Sequence, residues 1–375
     1  MRQTREMRPL AGVRVVEAAS YISGPYAGLM LADLGAEVIK VEPPRGDPYR
    51  RFGPQDDDGG VIFRAGNRNK HSLAIDLTTE AGTAELGALL DTADILITNW
   101  RPGVAEGFGL DTDSVRARWP RLVWVRVSGY GQTGPMATLP AFDGLMQARV
   151  GFADSNGETP SMVPTYVADK VSASFVTQSA LAALVQRAAT QRGCVVDLAM
   201  LDAFAYFDAP DLFSGHQQPG TTDDRVLRML RAPKVLQAAD GWIVVSPTTG
   251  QQIKRALIAA GLEDKLDDLR SQPDPTAVSK RFFELMAPRV RERTLAEWAA
   301  AFAEADVPAS AVMTKAEHLA DAQVVHNAIY RIVDDPVLGR ARRIRHPALF
   351  DGAPVETDDL PCPPLSVGAD ESATT

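Results

Sequence analysis

Cysteine is nearly absent from this chain. Its 375 residues include only Cys194 and Cys362, too few for a disulfide framework or a cysteine-rich zinc site. That usage fits a reducing compartment. Histidine is also scarce. No two of His71, His216, His318, His326 and His346 stand one helical turn apart and none lies near a cysteine, so no metal site is expected. Positive charge is in deficit, with 39 Lys and Arg against 48 Asp and Glu and a net charge of -9. A broad nucleic-acid surface is thereby excluded, because phosphate contact needs a basic face. No apolar run reaches the roughly 18 residues of a membrane span. The N-terminus, Met1 to Arg8, has basic residues with no apolar stretch behind them, so it is no secretory signal. These absences together predict a cytoplasmic protein with neither membrane nor nucleic acid as partner. There is also no P-loop, no G-x-S-x-G elbow, no internal repeat and no low-complexity tract.

What is present is an ordinary globular balance, 45% hydrophobic and 23% charged. The length exceeds what one core supports, so two domains are expected. Val13 to Ala18 reads as a strand, and a Ser/Gly/Pro turn follows through Pro25. Tyr26 to Leu34 has helical spacing and stops at Gly35. Glu37 to Glu42 is the next strand, which completes a βαβ unit and implies a parallel sheet. The alternation continues with strands at Ser72–Asp76, Asp94–Thr98, Leu122–Ser128 and Val195–Leu198. The helices between them are Thr79–Asp91 and the long apolar Val171–Ala189. Roughly the first 200 residues therefore predict a doubly wound α/β domain. Ser214 to Asp224 has the composition of a linker. Beyond it come a strand at Gly241–Ser246 and helices at Gln251–Ala260, Ala277–Met286 and Leu295–Ala305, a smaller and mostly helical domain. Asp334-Asp335-Pro336 reads as a second connector, and the tail after Pro361 as loose.

Gly129-Tyr130-Gly131-Gln132-Thr133-Gly134 matches the dinucleotide motif literally and follows a strand. That motif needs a helix N-terminus at the pyrophosphate, and Pro135 and Pro140 oppose one, so a glycine turn at a strand's carboxyl end is the better reading. Ligands still gather at such turns. Asn99, Trp100 and Arg101 offer an amide, an aromatic face and a guanidinium at the end of another strand. An adenine could stack on Trp100 while Arg101 meets a phosphate; the alternative is a capped turn. The arginines between Gly339 and His346 read as a solvated strand face. Asp169, just before the long apolar helix, has two readings. It is either the helix N-cap, or a carboxylate nucleophile toward an activated acyl group, with nearby backbone N–H groups stabilising the oxyanion.

Taken in order, these pieces resemble the class III CoA-transferases, the family of formyl-CoA, carnitine-CoA and bile-acid CoA transferases. The matching segments are Pro9–Val16, Gly24-Pro25 with Leu34–Glu42, Asn69–Leu73 with Asp76-Leu77, Asn99–Gly103, Ser128–Gln132 with Gly134-Pro135, Asp143 with Gln147-Ala148, and Val307–Ala309. The resemblance spans nearly the whole chain. It implies a Rossmann-like, mostly parallel large domain that begins with residues 1–213, a small α+β domain at 226–325, and a return segment to the large domain at 335–375. It also implies an interlocked homodimer. Asp169 would attack an acyl-CoA to form a mixed anhydride and then an aspartyl-CoA thioester, before passing CoA to an acceptor carboxylic acid. CoA would be bound as a substrate, with no tightly held cofactor, by Ile22, Ser23, Ile75, Asp76, Leu77, Thr78, Asn99, Trp100, Arg101, Gly129, Tyr130 and Gly131.

The chain departs from the family at several points. Gly107 replaces a basic residue, for which Arg45, Arg68 or Arg101 would have to compensate. Ala173 replaces a glycine, and Thr190-Gln191-Arg192-Gly193-Cys194 replaces a T-G-[KR]-G-Q turn. The glycine-rich loop of formyl-CoA transferase has no counterpart. Two other outcomes stay open. One is a 2-methylacyl-CoA racemase-like isomerase, in which a His would precede Asp143 where Phe142 stands. The other is a non-catalytic CoA-binding member.

Overall fold

The computed structural model describes residues 7–56, 59–155, 159–220, 222–231 and 234–366. Six strands form one parallel sheet: β1 Arg14–Ala18, β2 Glu37–Glu42, β3 His71–Ala74, β4 Ile95–Thr98, β5 Val123–Ser128 and β6 Val195–Ala199, in the order 3-2-1-4-5-6. This is the doubly wound order, whose direction reverses between β1 and β4 and opens a crevice beyond the strands' carboxyl ends. Strand side chains alternate between two cores. Val15, Ile95, Ile97, Val123 and Val125 pack on one face with helices α1 (Ser23–Ala32) and α6 (Val167–Thr190). Val16, Leu96 and Trp124 pack on the other with α3 (Glu80–Leu90) and α4 (Thr112–Arg118). Burial on both faces is why these strands read as continuous apolar runs. Other helices of this body include α2 (Val61–Asn67), α5 (Asp143–Arg149) and α7 (Met200–Asp208).

The chain divides into two compact units. One comprises Met1–Asp154, Pro160–Asp208 and Ala328–Thr375, and the other Ser155–Thr159 with Ala209–Asn327. The second unit has a three-stranded antiparallel sheet of β7 (Val235–Gln237), β8 (Trp242–Val245) and β9 (Ala309–Ala311). Helices α8 (Gly250–Ala259), α9 (Pro275–Val290) and α10 (Leu295–Glu304) close its core around Phe282, Met286, Trp298 and Phe302.

Three expectations change. Asp334-Asp335-Pro336 is no connector: Asp334 and Asp335 end strand β10 (Tyr330–Asp335), and Pro336 opens the turn of its hairpin with β11 (Gly339–Ile344). Asp335 makes it fold so: its carboxyl accepts the N–H groups of Val337 and Leu338 and pairs with Arg343 at 2.5 Å. Arg343 is therefore buried rather than part of a solvated face. Of the tail, Ser366 accepts an N–H bond from Ala74 at the carboxyl end of β3, and the residues after it lie outside the described ones. The departure at Thr190–Cys194 is absorbed locally. Gln191 takes the left-handed backbone itself, at φ 60°, as the residue that ends α6. Ala173 is fully buried in the core that α6 shares with α1.

Candidate active site

The crevice at the strands' carboxyl ends holds a cavity of about 250 Å³. The β1–α1 turn lines it with Ser20, Tyr21 and Ser23, the end of β4 with Asn99, Trp100 and Arg101, and the end of β5 with Ser128 and Gly129. Asp169 also faces it, from the first turn of α6. The structure thus gathers six of the expected residues: Ser23, Asn99, Trp100, Arg101, Gly129 and Asp169. The others lie elsewhere. Ile22 precedes α1, and Ile75 is buried in the core beneath the sheet with Leu77 packed against that core. Asp76 and Thr78 are exposed and bonded to one another, hydroxyl to carboxylate, at 2.6 Å. Tyr130 packs on the opposite core. Gly131, at φ 104°, donates its N–H to Ser128 Oγ.

Asp169 is not the N-cap. It is the third residue of α6, and the cap comes from 26 residues upstream, where Asp143 Oδ1 accepts the N–H groups of Ala168 at 2.7 Å and Asp169 at 3.2 Å. Gln147 holds Asp143 in turn, donating to its other oxygen at 2.6 Å while accepting from the Val163 N–H. The Ala168 and Asp169 N–H groups are thus already taken. The same arrangement frees the Asp169 carboxyl for the cavity. Burial, with the Asp143 charge beside it, pushes its pKa up to about 7, as desolvation and a like charge both must.

The turn is clamped. Asn99 donates to the Ser20 carbonyl at 2.7 Å and accepts from the Ser20 N–H at 2.9 Å, which ties β4 to the β1–α1 turn. Its amide is therefore a structural brace in this state. Tyr21 sits in the left-handed region at φ 64° and donates its N–H to Asp47 Oδ1. Asp47 belongs to a buried charge network that the sequence reading missed. Lys40 Nζ meets Glu17 at 2.9 Å and Asp47 at 3.0 Å, and Lys70 Nζ meets Glu17 at 2.7 Å. Glu42 takes Arg50 at 2.6 Å and the Ser72 hydroxyl. Three acids thus match three bases. Burial works against ionisation of Glu42, yet bonds from Arg50, the Asp47 N–H and Ser72 outweigh it and hold Glu42 at about 2. Burial likewise opposes the charge on Lys40, but Glu17, Asp47 and Glu42 raise its pKa regardless. The available signal was Glu17, Lys40 and Glu42 inside strands buried on both faces, where a charge must be paired. Gly28 lets α1 approach this network, since a Cβ there would lie 2.2 Å from Glu17 Oε2.

Among the proposed compensating cations, Arg68 is committed to a buried two-pronged pair with Asp33, whereas Arg101 and Arg45 are exposed. Phe142 lines the cavity beside Asp143, so the position where a racemase would carry its base is aromatic. Both free cysteines lie outside the cavity lining, and no helix follows Gly134 until Asp143, as the prolines predicted. Among the described residues no acidic, histidine or cysteine cluster could hold a metal ion, and no helix is long and apolar enough to cross a membrane.

Comparison with known proteins agrees with this architecture. The family model for CoA-transferase family III matches residues 10–371. The succinyl-CoA–D-citramalate CoA-transferase of Chloroflexus aurantiacus is 31% identical over 91% of this chain and 88% of its own. The cinnamoyl-CoA:phenyllactate CoA-transferase of Clostridium sporogenes is 28% identical over 92% of this chain and 87% of its own. The crystal structure of Rv3272 from M. tuberculosis superposes with a TM-score of 0.81 at 27% identity, covering 96% of this chain and 97% of that one.

Proposed function

Because this chain belongs to CoA-transferase family III and is thereby a CoA-transferase, we propose that Asp169 carries the transfer as a covalent nucleophile. The observation that carries this reading is the division of labour at the start of α6, where Asp143 serves as cap and Asp169 faces the cavity. A carboxyl held near pH 7 is ionised in part at neutral pH and is a stronger nucleophile than an ordinary aspartate. Its carboxylate attacks the thioester carbonyl carbon, the C–S bond breaks, and CoA leaves as thiolate from a mixed anhydride. The thiolate attacks the aspartyl carbonyl, releasing the first acid as carboxylate and leaving an aspartyl-CoA thioester. The acceptor carboxylate then attacks that thioester, and the displaced thiolate takes the new acyl group and regenerates Asp169. No net proton or electron is exchanged. The thioester's free energy is conserved only while water is kept from the anhydride.

CoA enters this reading along the strand ends, with Ser23, Asn99, Trp100, Arg101 and Gly129 nearest the reacting centre. In the same reading Ile22 serves the first turn, Ile75, Asp76, Leu77 and Thr78 the adenine and ribose, and Tyr130 and Gly131, with Gly129, the pantetheine end. A homodimer in the cytoplasm completes the reading, and light scattering checks its assembly. For the chemistry, acetyl-, propionyl- and succinyl-CoA are incubated with wild type and Asp169→Ala, trapped with hydroxylamine, and read by intact-protein mass spectrometry. An adduct mapped to the Asp169 peptide in wild type alone is expected. An adduct that survives in Asp169→Ala refutes the assignment.

A further inference from the structure

Tyr21, Leu139 and Phe142 are large apolar side chains left 36%, 47% and 54% exposed, and all three line the cavity that contains Asp169. They form a defined shelf. The Tyr21 and Phe142 rings meet edge to face at 5.6 Å, and behind them Tyr21 contacts Tyr49 at 5.9 Å, which stacks on Phe52 at 5.5 Å. The Tyr21 backbone is held by its N–H bond to Asp47, itself fixed by Lys40, and its ring lies between those of Tyr49 and Phe142. Phe142 immediately precedes Asp143, whose carboxyl is bonded to the Asp169 N–H. The shelf therefore flanks the reacting carboxyl. Among the described residues that line the cavity, the charged side chains are Asp169 and Arg101, and Arg101 stands at the β4 end where the reading above places CoA.

We propose that this shelf holds the acyl group, and that the acid transferred is an apolar monocarboxylic acid, aromatic or medium-chain aliphatic. The inference rests on Asp169 as the acyl acceptor. An apolar tail laid on Tyr21, Leu139 and Phe142 removes exposed apolar surface from water, worth about fourfold in affinity per buried methylene. The second carboxylate of a dicarboxylic acyl group laid on the shelf would instead face aromatic rings, whose faces are electron-rich. It would lose its hydration, since among the described lining residues the cation is Arg101, at the β4 end assigned to CoA.

The test uses the full-length protein with hexanoyl-, phenylacetyl- and succinyl-CoA at equal concentration, reading hydroxylamine-trapped label per unit time. Hexanoyl or phenylacetyl labelling at least tenfold faster than succinyl is expected, with Phe142→Arg narrowing or reversing that ratio. Succinyl labelling equal to or faster than the others in wild type overturns the proposal. If no thioester labels, equilibrium binding of the same three to Asp169→Asn separates the two readings. Tighter hexanoyl or phenylacetyl binding sustains the shelf and removes the nucleophile. Equal or tighter succinyl binding removes both.

Discussion

Replacing Asp169 by Asn should make this protein more stable, by an amount that grows with pH. The amide keeps the shape of the carboxyl but cannot ionise. In the folded chain the carboxyl stays protonated until about pH 7, because burial and the neighbouring Asp143 charge oppose its ionisation. In the unfolded chain it ionises near its ordinary value of about 3.9. A raised acid pKa leaves stability intact below the unfolded value and removes it as pH climbs to the folded value. A gap of about 3 units at 1.36 kcal/mol each amounts to about 4 kcal/mol. The cavity admits water to part of the group, so we take about half of this, some 2 kcal/mol. About a third of the penalty is in place at pH 5 and all of it at pH 8. For a domain of this size 2 kcal/mol corresponds to about 4–8 °C in Tm. Thermal melts of wild type and Asp169→Asn followed by circular dichroism at both pH values measure the gap. It should widen by several degrees from pH 5 to pH 8. A gap independent of pH, or an Asn protein that melts lower at pH 8, would refute the claim that Asp169 is held against ionisation.

Two further outcomes follow from the same contacts. Asp143→Asn keeps an acceptor for the Ala168 N–H while removing the charge beside Asp169, so the pH profile of hydroxylamine-trapped labelling should move toward lower pH; an unmoved profile refutes the electrostatic role. Lys40→Met leaves Glu17 and Asp47 buried without their shared cation, a loss of about 3–5 kcal/mol that should appear in urea melts as a large drop in midpoint, and a midpoint within error of wild type would show that the network does not depend on Lys40.

The sheet was legible because its central strands are short apolar runs buried on both faces and its strands are punctuated by glycine and proline, a pattern little else produces. Strand and helix centres were therefore found, and the ends missed by a few residues. The start of α6 illustrates why. The apolar run begins at Val171, but the helix begins at Val167 because a carboxylate on another helix caps it, and no local signal announces a cap 26 residues away. The hairpin at β10 and β11 was hidden the same way. Asp-Asp-Pro has the composition of a connector, and the strand pairing, the Val337 and Leu338 N–H groups bonded to Asp335 and its pair with Arg343 make it structure. The site residues divide on similar lines. Those at strand ends came together, since the carboxyl edge of a parallel sheet converges on one crevice. Those in Ile75–Thr78 did not, because β3 is the edge strand and its exit lies beyond β2 from that crevice.

Of the two readings of Asp169, the cap is excluded at this helix end, because Asp143 fills it; the nucleophile is the role proposed above. A carboxylate that accepts the first N–H groups of a helix has its negative charge stabilised twice, by the bonds and by the helix dipole, and its pKa falls. Such a group is abundant as carboxylate at neutral pH but weakly nucleophilic. A carboxylate set two residues further along, facing a cavity, loses those bonds and gains a desolvation penalty, so its basicity rises. Both roles cannot be filled by one side chain. With the end of α6 already occupied by Asp143, braced by Gln147, the Asp169 carboxyl is left without those bonds, its pKa raised by burial and by the Asp143 charge, and it lines the cavity. The geometry that makes Asp143 the cap leaves the Asp169 carboxyl at the cavity, so if Asp169 is the nucleophile as proposed, a variant that moves it into the cap should lose acyl labelling even where the fold survives.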